Sequence, residues 1–213
     1  LTLIEDGQTL PATNLELIEP GLQFTVALNL DAALESPVDE VSRFELARQA
    51  LQNWAEEAPS TVSDDLSLAV NDGLQINHAT NADEWLAALN GLQPDLKALQ
   101  GDLSALTRAV GLAADPTQHP RAKRAVLYIT PPMTGSETGL AELAGRADQM
   151  DVRIFVWVVT ADDRPAPDVA LLQALVDRTG GRLALVSGPE TFPNLEEWLA
   201  PLRRQYQVSY VSG

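Results

Sequence analysis

The chain has 213 residues, of which 30 are acidic and 14 basic, and its formal net charge at pH 7 is −16. This charge argues against a nucleic-acid partner, because no surplus of Lys and Arg exists to neutralise phosphates. It also disfavours anionic membrane surfaces. Cysteine is absent, which excludes disulfides and thiolate sites. No apolar run approaches the roughly 18 residues of a membrane-spanning helix, and no signal segment opens the chain, so we expect no membrane insertion.

The first 21 residues form a strand-like leading segment. Leu1–Glu5 and Asn14–Glu19 alternate polar and apolar residues, and the Asp6-Gly7 pair between them is typical of a hairpin turn, so Leu1–Glu19 is strand-like. Pro20 and Gly21 end the alternation. We therefore assign residues 1–21 to the leading segment and residues 22–213 to one α/β domain. Because the chain starts with Leu1 rather than Met, we expect it to be a piece of a longer protein.

Gln23–Leu30 is the first core strand. It is a near-continuous apolar run, which indicates a strand buried on both faces. The run ends in the polar loop Asp31–Ser36. In an open α/β sheet, ligands bind at the carboxyl ends of the strands, so this loop is the first place to look for function.

The rest of the chain alternates between helical and strand-like patterns. Helical spacing predicts helices at Glu40–Glu57, Ala82–Leu92, Asp102–Ala114, Leu140–Gln149, Asp168–Asp177 and Leu195–Tyr206. Further strands are predicted at Asp65–Val70, Leu74–His78, Ala125–Thr130, Val152–Thr160, Arg182–Val186 and Gln207–Val211. The turn Asn71-Asp72-Gly73 joins the first two of these strands into a hairpin, and its second strand would be an antiparallel edge strand. Gly180 and Gly181 are typical of a helix stop.

This order predicts a doubly wound α/β fold, with a mainly parallel six-stranded sheet, one antiparallel edge strand, helices on both faces and extra strands at the two termini. We expect Phe24–Leu30 and Ala125–Thr130 to be adjacent in the middle of the sheet, because both are apolar almost throughout. The terminal strands are expected to lie near each other. All four tryptophans, Trp54, Trp85, Trp157 and Trp198, are predicted to pack in the core. Trp85 follows the edge hairpin and is the best candidate for an exposed contact.

The element order resembles the von Willebrand factor A domain, a Rossmann-like fold. Members of that family carry a metal-ion-dependent adhesion site built from Asp-x-Ser-x-Ser after the first strand, a Thr before a middle helix, and an Asp in a Thr-Asp-Gly turn after the fourth strand. The leading segment with Glu5-Asp6-Gly7 and the closing stretch LRRQYQVSYVSG look like the flanks of a bacterial subgroup. The resemblance thus covers nearly the whole chain.

The metal motif of the family departs strongly in this chain. Asp31 matches the leading Asp, but Ala33 and Glu35 stand at the two Ser positions, Gly101 at the Thr position and Pro131 at the Asp position. Mg²⁺ requires six oxygens in near-octahedral geometry, and Ala33, Gly101 and Pro131 supply no side-chain oxygen. We therefore expect a degenerate site with no tightly held Mg²⁺.

The remaining polar residues at this rim could bind a partner directly. The predicted binding rim consists of Asp31, Glu35, Asp102, Thr130 and Glu137. A carboxylate at Glu35 would project into the degenerate site and attract a Lys or Arg. One alternative is a non-standard Ca²⁺ site, because Ca²⁺ accepts looser oxygen geometry. Its candidate ligands are Asp31, Glu35, Asp39, Glu40, Asp102 and Glu137.

Other chemistries find little support in the sequence. A zinc site needs three or four protein ligands, and the chain has only His78 and His119 and no cysteine. Ser136 follows Gly135 but lacks the Gly-x-Ser-x-Gly elbow of serine hydrolases. No Gly-x-Gly-x-x-Gly loop follows the first strand, which argues against dinucleotides.

By resemblance, the expected function is a non-enzymatic protein–protein interaction or adhesion module of a larger bacterial envelope or extracellular protein. It would bind another protein without a standard Mg²⁺ ion and without a cofactor. Two alternatives remain open from the residues alone. The first is an enzyme on a Rossmann-like fold, and the second is a purely structural domain that holds its neighbours in place.

Overall fold

Strands and helices alternate along the chain from residue 22 onwards, in the order that the sequence predicts. A computed structural model describes residues 3–10, 12–57, 64–117, 120–133, 137–160 and 169–210. The strands are β1 Leu3–Glu5, β2 Gln8–Leu10, β3 Ala12–Ile18, β4 Leu22–Leu28, β5 Pro37–Val38, β6 Val41–Ser42, β7 Asp65–Val70, β8 Gly73–Ala79, β9 Lys123–Thr130, β10 Val152–Val159, β11 Leu183–Val186 and β12 Gln205–Tyr210. The helices are α1 Arg43–Glu57, α2 Ala82–Gly91, α3 Ser104–Ala113, α4 Glu137–Gln149, α5 Val169–Thr179 and α6 Leu195–Arg203.

The core is a six-stranded sheet in the order β11-β10-β9-β4-β7-β8. Five strands are parallel, and β8 pairs antiparallel with β7 at one edge. All seven residues of β4 are buried, which requires cover on both faces of the sheet. The predicted sheet, its antiparallel edge strand and the central position of β4 and β9 are confirmed.

Helices cover both faces of this sheet, and each face has its own hydrophobic cluster. Helices α1, α2 and α6 pack on one face, and α3, α4 and α5 pack on the other. Phe24 of β4 contacts Trp54 edge-to-face with ring centroids 5.2 Å apart, and Trp54 contacts Trp85 at 5.8 Å. These aromatic pairs fix α1 and α2 against the sheet.

Trp85 was the best candidate for an exposed contact among the four tryptophans, but it lies in the core, as predicted for the tryptophans in general. Its side chain is fully buried, and its Nε1 donates a hydrogen bond to the carbonyl oxygen of Ser67 on β7. Helix α2 turns back onto β7 rather than outward, and it carries Trp85 into the core. Trp54 and Trp157 are buried as predicted, and Trp198 is partly buried against the same cluster.

Several predicted helix boundaries need correction. Helix α4 begins at Glu137 rather than Leu140, and α5 ends at Thr179 rather than Asp177. Helix α1 begins at Arg43 rather than Glu40, because Asp39 and Glu40 have φ of 49° and 73° and form the tight turn between β5 and β6. Helix α3 begins at Ser104 rather than Asp102. Helix α6 ends at Arg203 rather than Tyr206, and β12 then begins at Gln205.

The two ends of the chain meet in a separate two-stranded ribbon. Strand β12 pairs antiparallel with β3, and β1 pairs antiparallel with β2. The prediction that the terminal segments are extended and adjacent is confirmed for the residues described. Among the helices that the structure describes, none is long and apolar enough to cross a membrane.

Candidate functional site

The carboxyl ends of β4 and β9 meet at one rim of the sheet, where the sequence places the degenerate site. Asp31 lies just after β4 and is half-buried. Its Oδ1 accepts the backbone N–H of Ala33 at 2.8 Å, and its Oδ2 accepts the backbone N–H of Gly101 at 2.8 Å. The carboxylate therefore ties the loop after β4 to the loop before α3.

Asn29, which the sequence reasoning missed, lies beneath Asp31 and is fully buried. Its Nδ2 donates to Thr130 Oγ1 at 2.9 Å and to Met133 Sδ at 3.0 Å. Its Oδ1 accepts the backbone N–H of Asp102 at 2.8 Å. One buried amide thus joins three segments of the rim. The sequence signal for Asn29 was its position as a polar residue near the end of a mainly apolar run.

Asn71 acts in the same way from the neighbouring strand. Its Oδ1 accepts the backbone N–H of Leu30 at 2.7 Å, and its Nδ2 donates to the Leu30 carbonyl oxygen at 2.8 Å. The side chain thus mimics a strand and continues the pairing of β4 beyond its end. The same Nδ2 also reaches the carbonyl oxygen of Gln100 at 3.2 Å, just before Gly101.

Tyr128 supports the rim from below. Its hydroxyl donates to the carbonyl oxygen of Asp102 at 3.1 Å, and burial raises the pKa of this phenol well above its usual value. Tyr128 therefore remains protonated and keeps its role as a donor. Thr130 is also fully buried, and its hydroxyl donates to the carbonyl oxygen of Pro131 at 2.7 Å. Of the predicted binding rim, Thr130 thus supports the structure and does not reach the surface.

Gly101 lies close against the two side chains that hold the rim. A Cβ atom at this position would be 3.1 Å from Asn29 Nδ2, 3.3 Å from Asn29 Oδ1 and 3.3 Å from Asp31 Oδ2. These distances are shorter than ordinary van der Waals contact. The Thr that the family places here does not fit unless the rim rearranges.

Glu35 does not lie in the degenerate site with a free carboxylate. Its Oε1 is 3.1 Å from Nζ of Lys97, and the side chains are 45% and 77% exposed, respectively. Glu35 ends the short 3₁₀ turn Ala32–Glu35, and Lys97 lies in a second turn, Leu96–Ala98. The basic side chain that Glu35 was predicted to attract is therefore Lys97 of the same chain. At this exposure the pair adds about 0–1 kcal/mol of stability.

Asp102 caps the start of α3, although it lies two residues before the helix begins. Its Oδ1 accepts both the backbone N–H of Ser104 at 2.8 Å and the Ser104 hydroxyl at 2.5 Å. Asp102 itself is exposed. Glu137 begins α4, but its side chain lies outside the described residues. Asp39 and Glu40 lie on the exposed turn between β5 and β6.

The side chains present do not fit an octahedral Mg²⁺ ion. Both oxygens of Asp31 hold backbone N–H groups, and the hydroxyl of Thr130 is bonded within the buried network. Ala33 and Gly101 offer no side-chain oxygen. Among the residues described, no three His, Asp or Glu side chains are grouped so that they could hold a metal ion.

His78 does not lie at this rim. The Nδ1 atom of His78 lies 2.9 Å from Oδ1 of Asp65, which is the first residue of β7. Asp65 is at the amino end of β7, whereas Asp31 follows the carboxyl end of β4. Because these strands are parallel, the two residues lie at opposite ends of the strands. His119 lies outside the described residues.

The comparison of this chain with known proteins rests on its fold. No sequence profile of a known protein family matches it, and no curated protein sequence matches it. An open, mainly parallel sheet with one antiparallel edge strand and helices on both faces makes it a Rossmann-like α/β protein. Within that class, the chain has the fold of the von Willebrand factor A domain.

Three solved structures support this assignment of the fold. BatB from Bacteroides thetaiotaomicron has a TM-score of 0.67 at 17% identity, over 85% of this chain and 98% of its own. An aerotolerance-related membrane protein from Bacteroides fragilis has a TM-score of 0.65 at 15% identity, over 86% of this chain and 98% of its own. The SpRpn10 VWA domain has a TM-score of 0.60 at 15% identity, over 80% of this chain and 91% of its own. At these identities the likeness establishes the fold alone.

Proposed function

We propose that the chain is a non-enzymatic protein–protein interaction module that binds its partner at the rim without a bound Mg²⁺ ion. The observation that carries this proposal is the lack of side-chain oxygens around Asp31, because Ala33, Gly101 and Pro131 supply none and no three acidic or histidine side chains are grouped among the described residues. In the family that the sequence resembles, the metal ion takes a carboxylate from the partner. Here Asp31 would be too small a ligand set for that mode.

The surface available to a partner is formed by the two short turns beside Asp31. Ala33, Glu35, Lys97 and Asp102 are exposed there, and the Glu35–Lys97 pair presents both charges side by side. Direct side-chain contacts would replace the metal-bridged contact. Because an exposed ion pair contributes little affinity, the charges would set selectivity more than strength.

The enzyme alternative has little support among the rim residues described. A nucleophile needs a neighbouring base within hydrogen-bond reach. The buried hydroxyl of Thr130 has an amide and a backbone carbonyl as its hydrogen-bond partners, and the described rim contains no histidine. We therefore propose no catalytic role.

The proposed location is the cell envelope or the extracellular side, as part of a larger bacterial protein. The support is the shared fold with BatB and with an aerotolerance-related membrane protein, both from Bacteroides. Adhesion is one form that such an interaction could take.

Site-specific photo-crosslinking tests this proposal. A photoreactive phenylalanine replaces Ala33 at the rim, and the matched control replaces Ala174, an exposed alanine of α5. Both full chains are expressed in cells of a bacterial host, and envelope fractions are irradiated with and without EDTA. We expect one discrete adduct from position 33, equal in both conditions, and none from position 174. Loss of the adduct with EDTA would contradict the metal-free mode, and absence of any rim adduct would favour a purely structural domain.

A further inference from the structure

The terminal ribbon, made of β3 and β12, carries an exposed apolar face. The register places Leu17 opposite Tyr206 and Leu15 opposite Val208, so these four side chains share one face. Leu15 is 56% exposed, Leu17 51% and Tyr206 74%. Tyr210, two residues beyond Val208 on β12, is also exposed. Such a contiguous exposed stripe is typical of an interaction surface.

The opposite face of the ribbon carries mainly polar side chains together with Ile18, and two of its glutamines contact the body of the domain. Gln205 Nε2 donates to the carbonyl oxygen of Arg121 at 2.7 Å, and Nη1 of Arg121 donates to Gln207 Oε1 at 2.7 Å. In an ordinary half-buried sheet the apolar face packs inward and the polar face meets water. The ribbon differs, because these contacts come from its mainly polar face while Leu15, Leu17 and Tyr206 are exposed on the other.

Two strands alone are marginally stable in water, and three or more with a shared apolar face are needed for independent stability. Within the part of the chain that the structure describes, β12 pairs with β3 alone, and its other edge has no strand partner. The edges of the main sheet are protected, because β11 has only four residues and the pairing of β8 is interrupted by irregularities. Strand β12 has six residues, QYQVSY, with no charge and no proline.

We propose that β12 pairs antiparallel with β12 of a second copy of this chain. The two ribbons then form a four-stranded sheet with Leu15, Leu17, Tyr206 and Val208 of each chain on one side. A register that keeps these faces together places Val208 opposite Val208 of the partner subunit on the two-fold axis. Each Tyr206 then lies opposite Tyr210 of the partner subunit, an aromatic cross-strand pair.

The distribution of charge favours β12–β12 pairing of two copies over the other arrangements. Both sides of a β12–β12 contact are uncharged, so the net charge of −16 has no like-charge pair at the contact itself. Strand β3 carries Glu16, and Glu19 follows it, which disfavours both β3–β3 pairing and an anionic bilayer. One strand pair buries less than the roughly 800 Å² per partner of a standard interface, so the dimer is expected to be weak and concentration-dependent.

A charge-swap experiment tests the pairing. Sedimentation velocity is recorded over a wide concentration range for the full chain, for Val208→Lys and for Val208→Glu, and for an equimolar mixture of the two variants. We expect the wild type to shift towards a dimer with rising concentration. Each variant alone stays monomeric, because two like charges meet on the axis, and the mixture dimerises again. Far-ultraviolet circular dichroism checks that the body of the domain remains folded in each variant.

A matched control separates edge pairing from stacking of the two apolar faces. Leu15→Lys changes the same face on β3 and leaves the β12 edge intact, so it is expected to keep most of the dimer. Equal loss of the dimer in Leu15→Lys and Val208→Lys would overturn edge pairing. A wild type that stays monomeric at every concentration would overturn the second copy as occupant. Monomeric wild type that binds phosphatidylcholine vesicles would overturn it in favour of a lipid surface. Neither variant touches the rim, so this result is independent of the proposed function.

Discussion

The carboxylate of Asp31 and the backbone N–H of Gly101 are hydrogen-bonded at 2.8 Å across the rim of the sheet. Asp31 is the one residue that matches the family's metal motif in kind, and Gly101 stands where that motif has a Thr. The bond therefore joins two positions that would both serve a metal ion. Each carboxylate oxygen keeps a lone pair beyond the one that accepts an N–H, so a cation could still contact Asp31, but Ala33, Gly101 and Pro131 give it no further side-chain oxygen.

The first prediction concerns metal binding. Isothermal calorimetry with Mg²⁺, Mn²⁺ and Ca²⁺ is expected to show no binding in the micromolar range, because Mg²⁺ dehydrates reluctantly and a single bonded carboxylate holds it weakly. Micromolar binding of Mg²⁺ or Mn²⁺ that is lost in Asp31→Ala would contradict this expectation. Binding of Ca²⁺ alone, lost in Glu35→Gln, would support the alternative acidic site.

The second prediction concerns the space at Gly101. Gly101→Thr is expected to lower the free energy of unfolding by about 1–3 kcal/mol, the usual cost of overpacking. The added Cβ would lie 3.1 Å from Asn29 Nδ2. Asn29 is itself held by hydrogen bonds to Thr130, Met133 and Asp102. Urea unfolding measures the change.

A double-mutant cycle supplies the control for Gly101→Thr. In an Asn29→Ala background the two close contacts to Asn29 are removed and the one to Asp31 Oδ2 remains, so the same substitution is expected to cost less. Strict additivity of the two changes would show that Asn29 does not restrict Gly101.

The third prediction separates two neighbouring glycines after α5. Gly180 has φ of 70°, and its Cβ would meet only ordinary contacts, so Gly180→Ala is expected to cost about 1–2 kcal/mol. At Gly181 a Cβ would lie 1.7 Å from the carbonyl oxygen of Ile154, which is backbone within β10. Gly181→Ala is therefore expected to cost more than about 4 kcal/mol. Thermal unfolding of both variants tests this, and equal costs would show that the loop after α5 can move away from β10.

These two glycines also show where the sequence was informative. The pair is recognisable as a helix stop from local pattern, and the left-handed φ of Gly180 confirms that reading. The requirement at Gly181 comes from Ile154, a residue on another strand, and no local pattern contains it. The same distinction holds for β4 and β9, whose apolar runs predicted a central position directly.

The rim was only partly predictable for the same reason. Motif positions at Asp31 and Gly101 could be aligned, but Asn29 and Asn71 act through hydrogen bonds to segments far along the chain. Helical spacing predicted the helix that contains Trp85, but it did not show that the Trp85 side chain faces β7. The predicted end of α6 was wrong because apolar spacing continues to Tyr206, whereas the backbone turns at Arg204 to enter the ribbon.

The last prediction concerns a buried ion pair that joins α6 to the start of β4. Arg203 Nη2 lies 2.6 Å from Asp64 Oδ2, and Nη1 lies 2.6 Å from Oε1 of Glu196. Asp64 also accepts the backbone N–H of Leu22 at 2.9 Å. The side chains of Arg203 and Asp64 are 4% and 11% exposed, so removing the arginine leaves a carboxylate with little access to water. Arg203→Met is expected to cost about 3–5 kcal/mol at neutral pH. The control Glu196→Gln keeps the buried pair and removes a carboxylate that is 32% exposed, so it is expected to cost about 1 kcal/mol or less.

The cost of Arg203→Met should depend on pH in a defined direction. Burial raises the pKa of Asp64 from its ordinary value of 3.8, whereas the hydrogen bond and charge of Arg203 lower it. Without Arg203 the folded-state pKa rises further. A group with a raised folded pKa contributes stability that is complete below its unfolded pKa and is lost as pH rises through the folded pKa. The variant is therefore closest to the wild type below pH 3.8, and the gap widens as pH increases towards neutral. Urea unfolding across this range measures the gap, and Asp64→Asn combined with Arg203→Met should remove the widening. A gap that stays constant with pH would show that Asp64 reaches water in the variant and that the pair is not buried in the way its geometry indicates.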